Sequence, residues 1–283
     1  MTSTPGADGG FAEAELSEDG FLGGRLRIVQ PRAGYRAATD PVLLAAACAA
    51  TPGAAVLELG CGAGVASLCL GARVPGVALT GLELQPAYAG LARRNAAMNG
   101  SPLEVLEGDV SALPGALRAR HFDHVILNPP WYPAGGGTPA RDAGRETGLR
   151  EATPLSVWID AATRRLRPGG WLVAIQLAER LPDLLAACDG RLGSIDLLPL
   201  APRAGRPAGR ILLRARKGGR GAFRMLAPFI LHAGSGHDGG QGSGHTDAAE
   251  AILREGAPLA WAPRSSALKV SATFGGSNGG DGA

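Results

Sequence analysis

The sequence predicts an α/β fold: an open, mostly parallel sheet with helices on both faces, closed by an antiparallel hairpin. Three observations predict it. From Ala54 onward, short continuously apolar runs alternate with helix-like segments, as strands buried on both faces require. The first of those runs empties into a glycine-rich turn that opens a helix. The last two strand-like segments are joined by a short Gly/Pro/Arg loop, which suits a hairpin.

Taken in order, residues 1–17 are small and polar and read as a disordered tail. "FLGGRLRIVQP" reads as a short hairpin turning at Gly23-Gly24. "TDPVLLAAACAA" opens a helix with Thr39 or Asp40 as its cap and Pro41 in its first turn. "AAVLELG" is the first buried strand and "CGAGVASLCLGARV" its helix. "ALTGLEL" is the second strand, and "QPAYAGLARRNAAMNG" is a helix ending at Asn99-Gly100. "LEVLEGD" and "FDHVILNPP" follow as strands. "PLSVWIDAATRRLRPGG" is a helix stopped by Pro168-Gly169-Gly170. "WLVAIQL" is a strand, "LPDLLAACDG" a helix, and "SIDLLPLAP" and "AGRILLRARK" the final pair. Residues 232–245 are Gly-rich and read as a flexible insertion. A capped helix, "TDAAEAILREG", follows, and 265–283 read as a flexible tail. The whole of 18–264 is one expected domain.

Composition narrows the class. With 283 residues, 45% hydrophobic and 19% charged, the chain suits a globular domain with a substantial core. Its net charge of +3 permits an anionic partner without demanding one. Four cysteines form no C-x-x-C pair, and His237 and His245 lack a third ligand at regular spacing, so no metal is expected. The N-terminus lacks a signal-peptide pattern and no apolar run reaches membrane-spanning length. A cytoplasmic protein with reduced thiols, not associated with a membrane, is the expectation.

The chemistry concentrates at strand ends. In "VLELGCGAG", Gly60, Gly62 and Gly64, with Cys61 among them, let the backbone lie flat against a ligand. A dinucleotide would bring phosphates, which Glu58 just before the glycines would repel. S-adenosylmethionine carries an ammonium and a sulfonium and no phosphate, so the same acid helps. Glu83 ends the second strand, where a carboxylate grips ribose hydroxyls, and Asp109 ends the third, within reach of an adenine amino group. At the fourth, "NPPW" offers Asn128 as a side-chain acceptor and the Pro129 carbonyl as a second, with Pro130 stiffening the turn and Trp131 as a stacking face. Two acceptors aimed at a planar NH₂ hold its lone pair toward an incoming methyl group.

These residues resemble the class I S-adenosylmethionine-dependent methyltransferases over roughly Asp40 to Lys217. The resemblance implies a Rossmann-like, seven-stranded sheet with an antiparallel last strand. "NPPW" resembles the N-P-P-[YFW] motif of enzymes acting on adenine N6, guanine N2 of rRNA or glutamine N5 of release factors. Tryptophan departs from the commoner tyrosine or phenylalanine but keeps the stacking face. "GFLGGRLRIVQPRAGYRAATDPVLLAAA" resembles the N-terminal segment of bacterial tRNA(Val) adenine-N6 methyltransferases. By that resemblance Tyr35 and Asp40 border the cofactor pocket. Between Arg191 and Arg224 lie nine Lys/Arg and one acid, Asp196, a stretch expected to track an RNA backbone near the active-site end. Methylation of adenine N6 in tRNA is the expected function, with a release-factor glutamine methyltransferase, an rRNA guanine-N2 methyltransferase and a non-catalytic RNA-binding module as alternatives. Titration with S-adenosylmethionine separates enzyme from module.

Overall fold

The computed structural model describes residues 10–130, 132–133, 150–151, 153–234 and 244–264. The apolar runs become a parallel array: β3 (Ala55–Leu59), β4 (Ala78–Glu83), β5 (Glu104–Glu107), β6 (Phe122–Leu127) and β9 (Leu166–Leu177). Helices α2 (Val65–Arg73), α3 (Pro86–Met98), α5 (Leu155–Arg165) and α6 (Leu181–Ala187) lie between sheet strands in sequence, as does the short α4 (Gly115–Arg118). Two core clusters, one on each face of the sheet, follow from strands that are apolar throughout.

The C-terminal hairpin is present, and its order matters. β11 (Arg210–Lys217) inserts between β9 and β10 (Leu192–Ala201) and runs antiparallel to both. Strand order across the sheet is β12, β10, β11, β9, β6, β3, β4, β5. The seven long strands match the expected number. Two-residue strands β12 (Arg224–Met225) and β13 (Phe229–Ile230) add parallel pairs to the edge of β10. Among the described residues beyond NPP, β7 (Tyr132–Pro133) pairs in parallel with β8 (Arg150–Glu151).

The N-terminal hairpin, β1 (Leu16–Phe21) and β2 (Leu26–Pro31), stands outside the main sheet. Its turn contains Gly23 and Gly24, both at positive φ. Asn95 on α3 and Asn99 at its C-cap face the free edge of β2 at i, i+4 spacing. Asn95 Oδ1 accepts from the Val29 N–H at 2.8 Å, and its Nδ2 donates to the Val29 carbonyl at 3.0 Å. Asn99 repeats this with Arg27, at 3.0 and 2.8 Å. Two side-chain amides therefore stand in for a neighbouring strand. Asn95 also donates to the Ala63 carbonyl at 3.0 Å, which ties the hairpin to the glycine turn.

Several expectations shift. Order begins before residue 17: Phe11 packs edge-on against Tyr88, and β1 starts at Leu16. The helix from Leu155 ends at Arg165, and Leu166–Gly170 belongs to β9, not to the helix. Pro168 has no N–H to continue the helix and disfavours it in the preceding residue. The sheet register instead slips there, between Phe122 and His124. Helix α1 (Thr39–Ala47) is preceded by Ala38 as N-cap with no side-chain cap, so Thr39 and Asp40 lie inside its first turn. The 232–245 segment is pinned at its base by a bridge between His232 and His245, whose rings stack at 4.8 Å. Its interior lies outside the described residues, and with it the His237 expectation. Helix α7 (Asp247–Glu255) carries the expected caps, Thr246 and a left-handed Gly256. It packs on α1.

At the edge strand, Asp196 is fully buried, with 0% of its side chain exposed. Arg214, Arg224 and Arg264 surround it at 2.8, 2.7 and 2.6 Å. Arg214 is itself held over Trp171 at 4.8 Å and Trp261 at 4.5 Å. No helix among the described residues is long and apolar enough to cross a membrane. The cysteines are free thiols.

Candidate active site

Strand register sets which residues meet. Leu59, Leu127 and Ala174 are level across β3, β6 and β9, so the residues just beyond them share one end of the sheet. At that end the glycine turn, Glu83–Gln85, Gly108–Val110, Asn128 and Pro130 line a cleft open to solvent. Tyr35, Tyr88, Thr153 and Trp158 complete its wall. A smaller cavity adjoins it, lined by Gln30, Tyr35, Glu58, Cys61 and Asn128 among others. Tyr35, Gly60, Tyr88 and Asn128 belong to both.

Gly60 and Gly62 sit at φ +69° and +54°, and both line the cleft. A Cβ on Gly60 would stand 2.9 Å from the Trp158 ring. Gly60→Ala is therefore expected to cost about 1–3 kcal/mol through left-handed strain and the clash, read by thermal denaturation, and to weaken ligand binding in the cleft. Gly64 plays a different part. It is the left-handed N-cap of α2 and packs against Ala92 and Leu103, away from both cavities. The Cys61 thiol is also turned away from the main cleft, packed so closely over Gly81 that a Cβ there would lie 2.7 Å from the sulfur. Burial pushes this thiol's pKa well up.

The acids divide between the two cavities. Glu83 accepts from the Gly62 N–H at 2.8 Å and the Gln85 N–H at 2.9 Å, which fixes its carboxylate on the floor of the cleft. Burial nevertheless raises its pKa. Asp109 lies two residues beyond β5, caps a short 3-10 turn by accepting from the Ser111 N–H at 2.7 Å, and faces the cleft. Glu58 is buried beneath the turn in the smaller cavity and accepts from the N–H and hydroxyl of Ser67 at 2.9 and 2.5 Å. Burial, only partly offset by those bonds and reinforced by Glu83, pushes Glu58 up to about 7. Among the described residues, no lysine or arginine lines either cavity. Carboxylates without cations suit a cationic, phosphate-free nucleoside and not a pyrophosphate.

Asn128 stands where the cavities meet. Its Nδ2 donates to the Tyr35 hydroxyl at 3.4 Å. Tyr35 is held in turn by Tyr88: the Tyr35 N–H donates to the Tyr88 hydroxyl at 2.9 Å, and that hydroxyl donates to the Tyr35 carbonyl at 3.1 Å. Burial raises the Tyr35 phenol above its ordinary pKa, so it stays protonated. The Pro129 and Pro130 carbonyls accept from Gln176 Nε2 at 3.4 and 3.2 Å. A carbonyl has two lone pairs, so Pro129 keeps acceptor capacity while Gln176 fixes its direction. Trp131 lies outside the described residues.

Two expectations are corrected here. Asp40 lines neither cavity and pairs with Arg210 at 2.6 Å, because the helix turn that carries it faces β11. The basic stretch 191–224 does not gather at the active-site end. Register places Arg216 beside Trp171, His124 and Val56, at the opposite end of the sheet. β11 runs antiparallel and so carries its basic terminus away from the cleft. Arg191 pairs with Asp160 and Asp189, and Arg214 and Arg224 with Asp196. Conversely, Leu84, Val110, Tyr88, Trp158 and Gln176 belong to the site without having been singled out. Leu84 and Val110 each follow a strand-end acid, and that adjacency was the available signal.

Comparison with known proteins agrees with this geometry. A family model described as the methyltransferase small domain matches residues 38–182. Over 236 residues, 78% of this chain and 91% of the relative, the sequence is 31% identical to a tRNA1(Val) (adenine(37)-N6)-methyltransferase of Porphyromonas gingivalis. A release factor glutamine methyltransferase of Geobacter sulfurreducens is 31% identical over 128 residues, covering 42% of this chain and 44% of that one. Among solved structures, a predicted O-methyltransferase from Agrobacterium tumefaciens is similar with a TM-score of 0.62 and 28% identity, covering 78% of this chain and 98% of that one. The match runs through the glycine turn, Glu83, Asp109 and Asn128, and the chain belongs to the methyltransferase small domain family.

Proposed function

We propose that this chain methylates the exocyclic N6 of an adenine in tRNA, using S-adenosylmethionine. The observation that carries the reading is the position of Asn128, on the wall common to the open cleft and a smaller acid-lined cavity. S-adenosylmethionine supplies, when bound, a methyl group on a positively charged sulfur. Glu83 binds the ribose hydroxyls, Leu84 and Val110 offer apolar faces to the adenine ring, and Asp109 accepts from its amino group. Glu58, in the smaller cavity, opposes the positive charge of the methionyl end.

The acceptor base is held from the other side. With its Nδ2 committed to Tyr35, Asn128 presents Oδ1 as the acceptor for one amine hydrogen, and the Pro129 carbonyl accepts the other. This geometry directs the nitrogen lone pair at the methyl group. The amine proton can leave to water after transfer. The relative named for tRNA adenine-N6 methylation matches 78% of this chain and 91% of its own length. The relative named for release-factor glutamine methylation matches less than half of the chain. A tRNA substrate puts the reaction in the cytoplasm. The test is methyl-label transfer to total tRNA, rRNA and release factor, followed by nucleoside analysis. N6-methyladenosine in tRNA is expected, and label in release factor alone overturns the reading.

Glu58 predicts a pH dependence. Its pKa near 7 means the carboxylate that opposes the cofactor's charge is half protonated at neutral pH. Affinity for S-adenosylmethionine is expected to rise up to about tenfold between pH 6 and 8, and Glu58→Gln to flatten the profile, measured by calorimetric titration. Stability moves the other way. As pH climbs from about 4.5 toward 7, the unfolded chain gives up this proton before the folded one, so the Glu58 contribution to stability falls across that window.

A further inference from the structure

We infer that the loop between β10 and β11, residues 202–209, seats a phosphate of the RNA chain next to the methylated adenine, with Arg206 as its main contact. The inference rests on the RNA reading above and assigns an anion-binding surface at the active-site end, from which β11 carries its own basic terminus away.

The loop emerges at the active-site end. Arg210 is level with Leu177 and Ile211 with Gln176, the glutamine that holds the Pro129 and Pro130 carbonyls. The Gly209 carbonyl accepts from the Ala178 N–H at 3.1 Å. The loop continues beyond Arg210, and from Asn128 to the line of β11 is two strand spacings, about 10 Å across the sheet. That is the reach between a base edge in the pocket and its own backbone, once the nucleotide is splayed out of its stack.

The loop is built as a turn with paired cations. The Arg206 N–H donates to the Arg203 carbonyl at 3.2 Å, and Gly205 takes the left-handed conformation at φ +71°. Arg203 and Arg206 are thus the two ends of one β-turn, with Cα atoms less than about 7 Å apart. Arg203 is anchored to the Ala233 carbonyl at 2.5 Å, which steadies the turn. Arg206 is exposed and has no side-chain partner among the described residues. Two acids of neighbouring elements already have arginine partners, Asp40 on Arg210 and Asp183 on Arg180. An exposed guanidinium near a cleft whose described lining carries carboxylates and no lysine or arginine suits a phosphate held beside the cleft and not in it.

The test compares two exposed arginines at opposite ends of the sheet. Arg206→Ala is expected to raise the KM for tRNA about three- to tenfold. It should also lower the slope of log affinity against log salt by about 0.7, the signature of one lost single-strand phosphate contact. kcat and the affinity for S-adenosylmethionine stay at wild-type values. Arg220→Ala, at the far end, leaves all four quantities unchanged. Wild-type tRNA affinity and salt slope in Arg206→Ala overturn the inference, as does an equal loss in Arg220→Ala. Failure of the wild-type protein to bind tRNA, with methyl transfer to another acceptor, overturns the RNA reading itself and the loop assignment with it.

Discussion

Asn128→Ala is expected to lower kcat on the order of 10²- to 10³-fold while leaving the affinity for S-adenosylmethionine within about twofold of wild type. The asymmetry follows from geometry. The contacts proposed for the cofactor, Glu83, Asp109 and Glu58, do not involve the Asn128 side chain. The substitution removes one of two acceptors that orient the amine and leaves the Pro129 carbonyl in place, braced by Gln176. Asn128→Asp is the sharper probe. It keeps the acceptor and replaces the Nδ2–H that Tyr35 receives with a second oxygen, and it places a negative charge beside the buried Tyr35 phenol. Single-turnover kinetics separate the chemical step from binding, and turnover that survives Asn128→Ala defeats the assignment of the amine pocket.

Asp196→Ala is expected to destabilise the fold by about 3–5 kcal/mol, because three guanidiniums then share a buried site with no counter-charge. For a domain of this size that corresponds to a fall in Tm on the order of 10 °C. Asp196→Asn keeps one acceptor and the volume and should fall between. Burial opposes ionisation of Asp196, yet hydrogen bonds from Arg224 and Arg214 and the nearby arginine charges outweigh it and hold the carboxyl below its ordinary pKa. The stabilisation is therefore fully present above the unfolded pKa near 4 and is lost as pH falls through the lower folded value. Acid denaturation monitored by circular dichroism should lose this pH-dependent step in Asp196→Asn. A Tm in Asp196→Ala within about 2 °C of wild type contradicts this account of the cluster.

The glycine turn and the acids that line the cleft were legible because their signals are local. A glycine turn after an apolar run, and an acid at each strand end, need only a few residues of context and a parallel sheet to bring them together. Glu83 and Asp109 reach the cleft for that reason, even though β5 ends two residues before Asp109. What was not legible depends on direction and distance. A run of arginines on "RILLRARK" says nothing about which end of the sheet it will face. The insertion of β11 between β9 and β10 decides that, and sends Arg216 and Lys217 away from Asn128. Asp196 looked like a lone acid in a basic stretch, whereas its partners Arg214 and Arg264 are 18 and 68 residues away. Phe11 lay in a segment too small and polar to predict order, yet its contact with Tyr88 supports the residue that holds Tyr35. Asp40 was placed at the pocket by position in a motif, and the helix turn swung it onto Arg210 instead.

The two asparagines that stand in for a strand beside β2 carry a liability of their own. Asn99 precedes Gly100, the neighbour that least obstructs attack of the following backbone nitrogen on the side-chain amide. Loss of ammonia to a cyclic imide and its opening by water would put a carboxylate in place of the amide that donates to the Arg27 carbonyl, turning an attraction at 2.8 Å into a repulsion. Asn95, inside α3 and followed by Ala96, is shielded from the same ageing. Chemical wear would therefore loosen the turn end of the hairpin first, while the rung at Val29, nearer the Tyr35 segment, still holds.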